Sequence, residues 1–180
     1  GDGKLSLWGG GSFAGDIHYD GGNLEFGGDT VFGDSKAGGT VYVSPLKDLV
    51  LNGCVLNKSV MFNIDNHTQW AGHSLSFGKG ENTVSGKVSF GNRNLWINLK
   101  SGSDSVLSGG LEDKNPSDVG YVYIFAYSGG RLTIADKPVR TVNMRYKVDL
   151  NKPDLDKDGY SGYLTFAVAG NRISQLGRRD

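Results

Sequence analysis

The chain has 180 residues, with 19 basic and 19 acidic side chains and a formal net charge of zero. That balance leaves no general field to draw in nucleic acid or an anionic membrane, and no apolar run approaches the roughly 20 residues that span a bilayer. The 29 glycines have no three-residue period and come with 8 Tyr, 8 Phe and 3 Trp, which excludes collagen and argues against simple disorder.

The length fits one domain, residues 1–180, with enough chain to bury a core without disulfides. Asp outnumbers Glu 16 to 3; Asp favours turns and Glu favours helices, so the charges too point to β structure. The lone Cys54 lies in the apolar run LVLNGCVL and reads as a buried structural thiol.

In chain order, short alternating runs recur about every ten residues. Lys4 to Trp8 and Ser12 to Tyr19 come first, then Asn23 to Phe26 and Thr40 to Val43. Ser44-Pro45 opens the next segment and Asn52-Gly53 closes it. An N-cap residue, Pro at the first helical position and a glycine stop predict a short helix near 45–51, with Leu49 to Leu51 as strand the alternative. Val55 to Ile64, His73 to Phe77, Thr83 to Phe90 and Asn94 to Leu99 then alternate as strands. Ser101 to Gly120 is polar and turn-rich, the pattern of a long loop. Tyr121 to Tyr127 (YVYIFAY) is apolar on both faces, as in a central strand or one lining a contact surface.

The clearest local pattern lies at the C-terminal end. TVNMRYKVDL places Val142, Met144, Tyr146, Val148 and Leu150 on one face, and YSGYLTFAVAG repeats the alternation after the turn-rich NKPDLDKDG. The pair predicts a β-hairpin across Thr141 to Ala169, and residues 171–180 predict a frayed tail. No fixed-period repeat of solenoid type is visible. The fold class expected is all-β, an antiparallel β-sandwich of immunoglobulin-like or jelly-roll type, with a parallel β-helix as the lesser reading.

Chemistry-bearing motifs are few. Asp154, Asp156 and Asp158 followed by Gly159 form D-x-D-x-D-G, the spacing at which three carboxylates converge on a hard cation, and calcium is the expected ion. The EF-hand's twelfth position is Thr165 and flanking helices are lacking, so the loop is of a non-helical kind. His18, His67 and His73 match no common zinc spacing. Ser161 sits in Gly-Tyr-Ser-Gly-Tyr, without the second glycine of a nucleophile elbow. No catalytic motif is present, so the chain is not read as an enzyme. Trp70 among Asn66, His67 and Gln69, with Trp96 opposite the apolar face of its strand, offers aromatic surface beside hydrogen-bonding groups, the pairing that binds a sugar ring.

The segment DGYSGYLTFAVAG after a long alternating strand, with the Gly-rich opening GDGKLSLWGGGSFAGDI, resembles subunits of chaperone–usher fimbriae. The resemblance implies an incomplete immunoglobulin-like sandwich and a secreted or cell-surface protein without chemistry. Its partners would be neighbouring pilus subunits joined by strand donation. The function expected is an extracellular adhesion module binding a host glycan or glycoprotein receptor. A free-standing carbohydrate-binding module or lectin, and a glycan-processing enzyme, are the alternatives.

Overall fold

The computed structural model describes residues 3–34, 38–44, 47–62, 73–91, 94–114, 121–126, 130–135, 145–149, 163–168 and 172–176. They form strands β1 (Lys4–Trp8), β2 (Ile17–Tyr19), β3 (Asn23–Phe32), β4 (Thr40–Val43), β5 (Asp48–Leu56), β6 (Ser59–Phe62), β7 (His73–Phe77), β8 (Gly80–Val84) and β9 (Val88–Phe90). Then follow β10 (Leu95–Leu99), β11 (Ser103–Leu107), β12 (Leu111–Asp113), β13 (Tyr121–Ala126), β14 (Arg131–Ala135), β15 (Arg145–Asp149), β16 (Tyr163–Val168) and β17 (Arg172–Leu176).

The strands stack in parallel on their counterparts one turn of chain later, and the result is a β-solenoid rather than a sandwich. Its first side runs β1, the first half of β3, the first half of β5, then β7, β10, β13 and β15. Its second side runs through the second halves of β3 and β5 to β8, β11, β14 and β16. Its third side is β2, β4, β6, β9 and β12. Among the described residues the one antiparallel pair joins β16 to β17 at the far end of the second side.

The core consists of inward rows that repeat from coil to coil. Leu24, Leu49, Leu75, Ile97 and Ile124 form one row on the first side, and each is fully buried. Phe26, Leu51, Phe77, Leu99 and Ala126 form the next row. The second side adds Phe32, Leu56, Val84, Leu107 and Ile134, and the third adds Val41, Val60, Val88 and Leu111. Each buried Leu, Ile, Val or Phe contributes about 1.5–3 kcal/mol, and like packs on like because neighbouring coils lie only about 4.8 Å apart.

Two buried polar side chains hold the corners. Asn82, 1% exposed, accepts a hydrogen bond from the Gly53 amide (2.8 Å) and donates to the carbonyls of Gly78 (2.9 Å) and Gly80 (3.0 Å). It thereby satisfies backbone where the chain turns from the first side to the second. Lys58 is fully buried; its ammonium donates to the Gly15 and Gly38 carbonyls at 2.8 and 2.7 Å and lies 4.5 Å from the centre of the Phe13 ring. One side chain of the third coil thus ties down corners of the first two.

Several expectations are corrected. The antiparallel β-sandwich, immunoglobulin-like or jelly-roll, is replaced by parallel stacking; the solenoid's outer surface faces water, so its strands alternate as antiparallel strands usually do. The incomplete sandwich implied by the fimbrial resemblance is likewise not the fold observed. The helix near 45–51 is not formed: Asp48 to Leu56 is strand β5, and the described residues contain no helix. Gly53 does adopt the left-handed conformation (φ +66°) of a helix stop, but it uses it to bend β5 from one side of the solenoid to the next. The hairpin across 141–169 is not formed either, because β15 pairs with β13 and β16 pairs with β14 and β17. Within the expected long loop of 101–120, Ser103–Leu107 and Leu111–Asp113 are strands. Of the C-terminal tail, Arg172–Leu176 is β17.

Candidate functional site

Alternation along β7, β10 and β13 turns Leu75, Ile97 and Ile124 inward and sends every second residue out. Parallel register then fixes which outward residues become neighbours. One row is Asp48, Ser74, Trp96 and Tyr123, and the row beside it is Val50, Ser76, Asn98 and Phe125. The result is a flat face on the first side, two residues wide and aligned with the solenoid axis.

Aromatic and hydrogen-bonding groups are interleaved on this face. Trp96 is 39% exposed. Tyr123 and Phe125 lie half-buried with their rings parallel to within 10° and centroids 6.4 Å apart. Asn98 donates through Nδ2 to the Ser74 and Ser76 hydroxyl oxygens at 3.1 and 3.3 Å. A serine that accepts through its oxygen keeps its own O–H proton to donate elsewhere. The face therefore offers ring surface for stacking beside hydroxyl and amide groups, bounded by Asp48 at one margin and, one coil beyond Tyr123 and Phe125, by Lys147 and Asp149.

Other polar groups are engaged elsewhere. Glu25 is 5% exposed; its ion pair and hydrogen bond with Lys4, helped by hydrogen bonds from Ser6 (2.9 Å) and Asn52 (3.2 Å), hold its carboxyl below the ordinary value against the opposing effect of burial. For Glu112, burial pushes the carboxyl up, but hydrogen bonds from Lys114 and Ser89 with the charges of Lys114 and Lys87 outweigh it and leave it lowered. Burial pushes the Cys54 thiol up to about 11, so the thiolate that a nucleophile needs is scarce at neutral pH. A groove of about 300 Å³ on the second side is lined by Asp29, Thr30, Val31, Gly53, Cys54, Val55 and Glu81. Trp8, 58% exposed, lies over Gly27 and Gly28 and leaves no space for side chains there.

Of the residues singled out in the sequence, Trp96 stands on the outer surface as its strand pattern indicated. Trp70, Asn66, His67 and Gln69 belong to the segment joining β6 to β7 and lie outside the described residues, as do Asp154, Asp156 and Asp158 between β15 and β16. His18 is exposed and stacks on Tyr42 at 4.4 Å, whereas His73 is buried against Phe62. Among the described residues no three His, Cys, Asp or Glu side chains come together as metal ligands.

Ser74, Ser76, Asn98, Tyr123 and Phe125 were not identified from the sequence as one site. The signal was present in three runs, HSLSF, NLWINL and YVYIFAY, but it emerges only when they are superposed on their inward Leu75, Ile97 and Ile124. Comparison of the chain with protein-family models, with curated proteins and with solved structures returns no match.

Proposed function

We propose that this chain is an extracellular adhesion module that binds a glycan of a receptor through the outer face of its first side. The observation that carries this reading is the juxtaposition of Trp96, Tyr123 and Phe125 with Ser74, Ser76 and Asn98. Sugar rings present apolar C–H patches framed by hydroxyls, and a surface that alternates aromatic rings with neutral donors and acceptors is complementary to both. Rigidity favours the same reading: each side chain stands on a strand hydrogen-bonded on both edges, so little ordering is needed on binding.

The test is a glycan-array screen of the purified chain beside Trp96→Ala, each with calcium and with chelator. Binding by the native chain that falls at least about fivefold in a folded Trp96→Ala variant supports the proposal, since one stacked ring is worth roughly 1 kcal/mol or more. A silent array, or binding indifferent to Trp96, refutes it. Chelator sensitivity tests the calcium expected at Asp154, Asp156 and Asp158 separately.

A further inference from the structure

Resting on that reading, we infer that the ligand is an internal stretch of a linear, uncharged polysaccharide laid along the solenoid axis, about one sugar to each coil. Three observations lead there.

The first is shape. Trp96 stands on an open face, and the groove of about 300 Å³ lies on the second side instead. Among the described residues this face has no walls to enclose a terminal sugar and no end stop to select one. It reads the flank of a polymer.

The second is direction. Ser74, Trp96 and Tyr123 succeed one another across β7, β10 and β13, with Ser76, Asn98 and Phe125 alongside. Successive coils are about 4.8 Å apart, close to the length one pyranose adds to an extended chain. A polymer parallel to the axis therefore meets a new pair of side chains with each sugar. A polymer laid across the axis would pass over one coil and leave the face after two outward positions, Trp96 and Asn98 of β10.

The third is charge. Ser74, Ser76, Trp96, Asn98, Tyr123 and Phe125 are all neutral; the register sets Asp48 beside Ser74 at one margin, and Lys147 and Asp149 beside Tyr123 and Phe125 at the other. Uronate or sulfate groups need cations in register with the sugars. A single Lys147 with Asp149 in the adjoining row does not make such a series, and Lys100 stands beyond the two rows, at the corner. Neutral sugars need only the hydroxyls, the amide and the rings.

The experiment is titration calorimetry of the full chain with linear β-1,4-glucan, mannan and xylan oligosaccharides of increasing length, and with oligogalacturonates as the charged counterpart. Affinity that rises with length through about three or four sugars, and that exceeds the charged series by at least about tenfold, is the result expected. In the same series Trp96→Ala and Asn98→Ala each lower affinity while circular dichroism stays unchanged. Equal affinity for a monosaccharide and its oligomers, or preference for the charged series, overturns this inference and leaves glycan binding standing. Absence of binding to all the neutral series also overturns it, and a glycan array that is silent as well removes the underlying reading.

Discussion

Asn82 offers the sharpest test of how the corners of the solenoid are held. Asn82→Ala removes an acceptor for the Gly53 amide and a donor for the carbonyls of Gly78 and Gly80. The bonds to Gly53 and Gly78 are buried, and that to Gly80 is partly buried. An orphaned buried group costs about 1–3 kcal/mol and a partly wetted one about half that. The loss of side-chain volume inside a packed corner adds to this. The sum is about 3–8 kcal/mol, a large part of the 5–15 kcal/mol that holds a typical domain together. Urea unfolding followed by circular dichroism and by tryptophan fluorescence measures it. A loss below about 1 kcal/mol for Asn82→Ala refutes the reasoning, since it would mean that water or backbone rearrangement replaces all three bonds at little cost.

Gly109→Ala is expected to destabilise by about 2–3 kcal/mol, because its Cβ would fall on the Gly86 backbone of the preceding coil; Gly15→Ala, which meets nothing within 4 Å, is the neutral control in a thermal melt. For Glu25 the folded carboxyl lies below the ordinary value of 4.5, so its ionised form contributes stability that is fully present above that value and lost as pH falls through the lowered one. Glu25→Gln should therefore be less stable than the native chain by about 1–2 kcal/mol at pH 7, with the difference vanishing at strongly acid pH in parallel urea titrations. Cys54, 2% exposed and with its thiol pushed up to about 11, should resist a disulfide reagent in the native protein and react stoichiometrically in urea; prompt labelling without denaturant would contradict its burial.

Much of the strand content was legible. Lys4–Trp8, Thr40–Val43 and His73–Phe77 are strands over the spans the alternation indicated. What alternation cannot encode is the direction of the neighbouring strand, because a period of two is the same in a sandwich and in a solenoid with a wet outer surface. The repeat itself was hidden by uneven coils: Leu24, Leu49, Leu75, Ile97 and Ile124 are stacked, yet stand 25, 26, 22 and 27 residues apart. Constant sides joined by corners of different length leave no fixed period to detect. β11 was hidden for another reason, since Ser103 and Ser105 occupy inward positions where a core strand ordinarily carries apolar residues. Trp96 was read correctly as a surface residue, but its partners come from other coils, and only the register brings them to it.

The parallel ladders also give the molecule a mechanical grain. Every hydrogen bond between coils points along the axis, so a pull applied to the two ends opens them one coil at a time, as in unzipping. A pull across the axis, along the strands, loads a whole row at once and meets far greater resistance. At the far end the antiparallel partner β17 reverses the chain against β16, so tension entering there runs along the strands first. A ligand laid along the first side would bridge successive coils and stiffen the weak direction, which makes grip on a polymer and resistance to extension two readings of the same stack.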